Sequence, residues 1–234
     1  CFAITDEVRA ENHNEGSDSV FDVILMLQVY EHITYDGVKH ISLASLPEMQ
    51  QRTIITSSLS KTFSVTGWRI GWAIAPASIA SAIRNVHVRL TDSAPAPFQE
   101  AALTALKSPP EYYYRLRKQY ESKRNFIVKL LAGVGLKIQF VPQGSFFLFA
   151  EIPDNFSLSD VEFVKKLIEQ AGVVVVPGCG FFHPNSYAER KPDSQLAYQR
   201  RYIRVAFCKS EATLIAAATK LQELTEWINR NGSR

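Results

Sequence analysis

The chain has 234 residues, 46% of them hydrophobic and 21% charged, with a formal net charge of +3. That is the balance of a globular protein long enough for one large domain or two small ones. Acids and bases are interspersed, so no basic stripe suggests nucleic acid, and the longest apolar runs, such as residues 173–176, are far too short to cross a membrane. Cys1, Cys179 and Cys208 stand far apart with no CxxC pair. They indicate neither a disulfide framework nor a zinc site, and a reducing, cytoplasmic setting is the default expectation.

Residues 1–5 form an apolar run ending at Asp6 and Glu7 and read as a buried strand with acids at its C-terminal end. The run begins with Cys1 and is already core-like, so the sequence reads as a fragment that starts inside a domain. Residues 9–19 are polar and read as loop, and 21–27 are apolar without a clear partner. Residues 52–58 and 71–75 read as further buried strands, and 78–90 and 97–106 as helices. Such alternation predicts an α/β layer. Pro109 and Pro110 break the chain and open a helix expected to reach about residue 131.

The texture then changes. Residues 136–140, 146–152, 173–176 and 202–207 read as strands. Residues 160–171 read as an amphipathic helix with Val161, Val164, Ile168 and Ala171 inward and a capping box of Ser157 and Asp160. Ser210 is expected to cap a last helix that buries Leu214, Ala217, Leu221, Leu224 and Ile228. The expectation is a partial large domain over 1–106 and a smaller α+β domain over 107–234.

The chemistry concentrates in Ser57-Ser58-Leu59-Ser60-Lys61-Thr62-Phe63-Ser64-Val65-Thr66-Gly67-Trp68-Arg69-Ile70-Gly71-Trp72. A strand runs into small hydroxyl residues, and a lysine follows in a loop. Hydroxyls and a guanidinium suit a phosphate. A lysine among Phe63, Trp68 and Trp72 is expected to be partly desolvated, which favours the neutral amine that attacks an aldehyde.

This stretch resembles the lysine motif of the class I/II aminotransferases, the fold-type-I pyridoxal-phosphate enzymes, and within them the kynurenine aminotransferase and glutamine transaminase K branch. The resemblance implies a mainly parallel mixed sheet with helices, plus the α+β small domain. It implies pyridoxal 5'-phosphate held by Lys61, with Ser58 and Arg69 on its phosphate and Ser60 a weaker candidate. The family's strand ending in D-E-V-Y supplies a carboxylate for the ring nitrogen and a tyrosine for the ring oxygen. Asp6 matches the first. Arg9 stands where the tyrosine is due, and Tyr30 in Val29-Tyr30-Glu31-His32 matches it instead. Arg204, in Tyr202-Ile203-Arg204-Val205-Ala206-Phe207, matches the arginine that clamps the substrate carboxylate. On a buried strand its charge needs a ligand or a partner, and an ion pair is the alternative.

Residues 143–147 and 176–181 match small-domain segments that border the family's site. Tyr30, Phe146 and Phe182 are candidate pocket aromatics, with core packing as the alternative. His32 and His183 lack ligand-like spacing. The resemblance implies an amino acid and a 2-oxo acid as substrates and a homodimer as the working form. Rival readings are a carbon–sulfur β-lyase on the same frame, separable by product analysis with cysteine conjugates, and a truncated, non-catalytic partner of intact subunits. The family carries roughly as much sequence again before Cys1, so the polypeptide alone is expected to be poorly soluble and inactive.

Residues 8–28 interrupt the resemblance. Valine codons begin with GT and one glutamine codon is CAG, so an in-frame retained intron would read this way; a surface insertion is the alternative. Transcript sequencing across residues 7–29 is expected to reveal a form without the segment, and finding only the inserted form would contradict the intron reading.

Overall fold

The computed structural model describes residues 23–153, 158–182 and 200–231, with side chains described as far as Glu223. The expected strand at 1–5, the loop at 9–19, Asp6, Ser157 and His183 lie outside the described residues, as do the side chains of Leu224 and Ile228. The chain divides into two compact units, residues 1–118 and 119–234. The division falls inside the helix that Pro110 opens.

The first unit is built on a three-stranded sheet in the order β1–β2–β3, with β1 at Ile24–Leu27, β2 at Thr53–Ser58 and β3 at Gly71–Ile74. β1 runs parallel to β2, from Ile24 opposite Thr53 to Leu27 opposite Thr56. β3 returns antiparallel, from Ser58 opposite Gly71 to Ile55 opposite Ile74. Two points depart from expectation. The apolar run at 21–27 has a partner after all, since its last four residues form β1 inside the segment read as an insertion. β3 is antiparallel, and the 12 residues between the end of β2 and its start hold only two short helical turns and no crossover helix.

Helix α1 (Leu59–Thr62) follows β2 directly, so Lys61 sits in a helical turn and not in a loop. Then come α2 (Ala77–Thr91), α3 (Ala96–Leu106) and α4 (Pro110–Gly133). Leu59, Ile70 and Ala102 form a buried cluster, packed by Phe63, Val65, Trp72, Ala94, Phe98 and Ala105. This core fixes α1 from below. By contrast, α2 buries none of its residues, and Val86, Val88 and Leu90 are 56%, 53% and 78% exposed.

The second unit holds an antiparallel sheet in the order β4–β6–β5, with β4 at Phe147–Glu151, β5 at Val176–Pro177 and β6 at Tyr202–Ala206. The strand expected at 136–140 reduces to a single bridge from Lys137 to Glu151. β4 and β6 alternate as half-buried strands should. Leu148, Ala150, Ile203 and Val205 are buried, while Phe147, Phe149 and Arg204 line the opposite, less buried face.

Helix α5 spans Asp160–Lys166 and runs into a π-helical turn, Leu167–Ala171. Its inward face differs from expectation. Asp160, Phe163, Val164, Leu167 and Ala171 are buried, while Val161 and Ile168 are exposed. The capping box is Ser159 with Glu162, two residues later than expected: Ser159 Oγ accepts the Glu162 N–H, and Glu162 Oε2 accepts the Ser159 N–H. Helix α6 (Glu211–Asn231) is capped by Ser210, whose Oγ accepts the Thr213 N–H. Leu214, Ala218 and Leu221 are buried along it.

Candidate functional site

Parallel strands place their C-terminal ends at one edge of a sheet, and an antiparallel neighbour begins at that same edge. In the first unit this edge collects Tyr30 just beyond β1, Ser58 and Lys61 at the end of β2, and Arg69 just before β3. Ligands of open α/β sheets lie at such carboxyl edges.

Each residue is fixed locally. Ser58 caps α1, its Oγ accepting the Ser60 N–H at 3.3 Å. Ser60 is buried, and its carbonyl accepts from the Thr66 hydroxyl at 3.0 Å, tying the following loop to α1. Arg69 lies in the left-handed region, φ 57°, a conformation that costs a non-glycine residue on the order of 1 kcal/mol. It is held there because Leu59 N–H donates to the Ile70 carbonyl and Arg69 Nη1 donates to the Thr66 carbonyl at 3.1 Å. Gly71 is required by the hairpin itself, since a Cβ there would lie 2.7 Å from the Ser57 carbonyl oxygen.

The turn carrying Tyr30 is pinned to the same edge. Gln28 N–H donates to the Thr56 carbonyl at 2.8 Å, extending the β1–β2 pairing by one bond. Ser57 Oγ then donates to Glu31 Oε1 at 3.2 Å, and Ile33 N–H closes the turn on the Tyr30 carbonyl. Tyr30 is half-buried. The strand beside β2 ends in Leu27 and Gln28, neither a carboxylate; the carboxylate of this turn is Glu31. Asp6 lies outside the described residues.

The start of α4 clasps the lysine turn from the other side. The Tyr112 hydroxyl donates to the Thr62 carbonyl at 2.7 Å, and its ring stacks on Phe63 at 5.1 Å. Tyr113 packs its ring 4.4 Å from His32. Burial, chiefly, pushes the Tyr112 phenol above its ordinary range, so it stays a donor. Tyr112, Ser57 and Glu31 were not singled out from the sequence. Tyr112 lies 50 residues from its partner, and no local pattern joins them.

In the second unit Arg204 stands on the central strand, paired with Phe149 on one side and Val176 on the other. Its guanidinium lies between two rings, 4.3 Å from the centroid of Phe147 and 4.4 Å from that of Phe181. Each face is worth roughly 0.5–2 kcal/mol. Arg204 Nε is buried with no hydrogen-bond partner. No ion pair satisfies Arg204 among the described residues; aromatic faces hold it instead. The aromatics involved are the neighbours of those expected. Phe146 is buried on Tyr120, and Phe182 packs on Tyr202. The two-residue alternation of β4 would have identified Phe147, since it shares Phe149's face and Phe149 pairs with Arg204.

With this geometry in view, comparison with known proteins is specific. The family described as aminotransferase class I and II matches residues 23–221. The chain is 35% identical over 198 residues to the methionine aminotransferase of Escherichia coli, covering 84% of this chain and 48% of the relative. It is 34% identical to the human kynurenine–oxoglutarate transaminase 1, covering 84% and 48%. The structure of N-succinyldiaminopimelate aminotransferase from Mycobacterium tuberculosis superposes with a TM-score of 0.77 at 31% identity, over 86% of this chain and 50% of that one. The chain belongs to the class I and II aminotransferase family, whose members depend on pyridoxal phosphate. It spans about half the length of these relatives. The match begins at residue 23, so the family likeness already includes β1.

The donors at the first unit's edge suit that cofactor's two reactive ends. Hydroxyls and a guanidinium suit a phosphate, and a lysine amine suits an aldehyde. Among the described residues no cluster suited to a metal ion is present.

His32 reports on this edge. Burial, first, and then the charges of Arg117 and His40 hold it below the ordinary histidine range, against the pull of Glu31, whose Oε1 lies 3.8 Å away. A depressed folded-state pKa means the unfolded chain binds the proton more readily. Stability from this group is therefore complete above the ordinary value of about 6.5 and is lost as pH falls through the depressed one. An NMR titration should give His32 a midpoint below that of the unfolded chain, and Tyr113→Ala should raise it. An unchanged midpoint in that variant would contradict burial under Tyr113 as the cause.

Proposed function

We propose that this chain contributes the lysine-bearing portion of a pyridoxal-phosphate-dependent aminotransferase, which moves an amino group between an amino acid and a 2-oxo acid. One observation carries the reading: Tyr30 beyond β1, Ser58 and Lys61 at the end of β2, and Arg69 before β3 stand at a single sheet edge. Names of relatives point to methionine, kynurenine and N-succinyldiaminopimelate as substrates of those proteins, and the amino donor of this chain is a member of that broad class of amino acids.

When bound, pyridoxal phosphate supplies an aldehyde that takes up an amino group and a ring that accepts electrons. The remaining work belongs to side chains. Ser58 and Arg69 would hold the phosphate. The Tyr30 hydroxyl would donate to the ring oxygen. Lys61 Nζ would hold the aldehyde end and would take and return the proton at the substrate α-carbon, as base and then as acid. Asp6 is the proposed carboxylate for the ring nitrogen. In the second unit Arg204 takes the substrate carboxylate.

A second reading is favoured by the exposed apolar residues of α2. A helix that leaves Val86, Val88 and Leu90 in water exposes the kind of apolar surface that partners cover. On this reading the chain works beside a second copy, as a homodimer, or beside an intact subunit.

The test uses the full 234-residue chain mixed with pyridoxal phosphate. A visible absorption band should appear, and borohydride should fix the phosphopyridoxyl group on the Lys61 peptide. Lys61→Ala should abolish both, and Arg69→Ala should weaken binding about tenfold or more. Labelling spread over other lysines, unchanged by Lys61→Ala, would contradict the assignment. Light scattering on the same sample should give a dimer mass, and a stable monomer would contradict the second reading.

A further inference from the structure

The observation left unused by the proposed function is a buried acid. Asp160 opens α5 and is completely buried, 0% exposed. An ionised carboxylate in such a place is costly unless its oxygens are bonded. One oxygen is: Oδ2 accepts the backbone N–H of Cys179 at 2.8 Å. The other, Oδ1, has no hydrogen-bond partner. A residue kept at that cost is performing a placement that an apolar residue could not.

What it places is a single turn. Cys179 belongs to the 3-10 turn Gly178–Phe181 that follows β5. The turn is pressed onto β6 so closely that a Cβ at Gly178 would lie 2.5 Å from the Tyr202 carbonyl oxygen. Asp160 N–H in turn donates to the Arg200 carbonyl at 2.8 Å, fastening the start of α5 to the chain that enters β6. The Asp160 carboxylate also raises the Cys179 thiol above its ordinary range, by hydrogen bonding first and burial second, which keeps the thiol neutral beside it. The last residue of the turn, Phe181, is 46% exposed, yet it lies flat on Arg204 and meets Phe149 edge-on at 5.4 Å.

We propose that Asp160 is a positioning residue for Arg204: by anchoring the Cys179 amide it sets the turn that lays Phe181 over the guanidinium. The proposal rests on the reading of Arg204 as the carboxylate ligand. Phe147, on β4, supplies one ring as part of a sheet. Phe181 supplies the other from a turn, and a turn needs an anchor. With two rings packed on it, the guanidinium loses rotamer freedom before a ligand arrives, while its N–H groups can still donate to a planar anion.

The test reads Arg204 directly and does not depend on turnover. The full chain and its variants, each checked for wild-type circular dichroism and melting, are treated with phenylglyoxal. Modification of Arg204 is followed by peptide mass mapping, with exposed Arg69 as internal reference. Phe181→Leu, which keeps apolar volume but removes the ring face, should speed Arg204 modification roughly two- to fivefold relative to Arg69. Asp160→Ala should do the same. Asp160→Asn keeps an oxygen that can accept the Cys179 N–H and should restore the wild-type rate. The Asp160→Ala/Phe181→Leu double variant should be no faster than either single one.

An unchanged rate in Asp160→Ala, or additive effects in the double variant, would overturn the proposal. If Asp160→Ala does not fold, Phe181→Leu and Asp160→Asn still decide it: no acceleration in the first, or full acceleration in the second, overturns it. Pyruvate should slow modification of wild-type Arg204. Failure of that protection with the Asp160 coupling intact would overturn the carboxylate reading of Arg204 and leave the positioning role standing.

Discussion

The first unit depends on one constraint, the pairing of β2 with a parallel neighbour on one side and an antiparallel one on the other. From it follows the location of every candidate cofactor ligand described here. Parallel pairing sends the ends of β1 and β2 to the same edge, and antiparallel pairing makes β3 begin there. The hydrogen bonds beyond the strands repeat that arrangement. Gln28 to Thr56, Ser57 to Glu31 and Leu59 to Ile70 each fasten a loop residue to the end of a strand. The lysine turn is thus held from three sides: by its own strand, by the hairpin loop through Thr66, and by Tyr112 at the start of α4. Bonds of this kind contribute only about 1 kcal/mol each. Their effect is on geometry, because a catalytic amine misplaced by an ångström loses much of its advantage.

The second unit solves a different problem. On the proposed reading of Arg204, a cation must stand on a central strand without an ion pair that would compete with a substrate carboxylate. Two aromatic faces meet that requirement: they stabilise the guanidinium without occupying its hydrogen-bonding edge. The sheet supplies Phe147 through register, and the turn after β5 supplies Phe181. The buried carboxylate of Asp160, bonded to the Cys179 amide, gives the turn its position.

Much of this was legible in the sequence, and the failures have physical causes. The lysine motif is long and local, so the family resemblance it carries singles out Ser58, Lys61 and Arg69 as candidates. The helices at 78–90, 97–106 and 110–131 were visible through proline and periodicity, and observed bounds differ by one or two residues. Strand β1 was missed because its apolar run is only four residues long and its partner lies 29 residues away. The inward face of 160–171 was misread because an acid occupies the most buried position. Burial of Asp160 is explained by the Cys179 amide, a contact no helical pattern encodes, and with Asp160 inward the buried stripe runs through Phe163, Val164, Leu167 and Ala171. The same region yielded the wrong capping box, since Ser157 with Asp160 and Ser159 with Glu162 have identical spacing and only the structure shows which serine faces the amide. Phe147 and Phe181 were each missed by one position, the error that a strand's two-residue period and a tight turn make easy.

The central claim is that a single edge of the first sheet holds the cofactor's phosphate and aldehyde. Amide hydrogen exchange tests it without reference to catalysis. On addition of pyridoxal phosphate, the amides of Ser60, Lys61 and Arg69 should gain protection, while those of Thr53 and Ile74 at the opposite edge should not change. Protection centred on Thr53 and Ile74, or binding that leaves Ser60, Lys61 and Arg69 unaffected, would contradict the account.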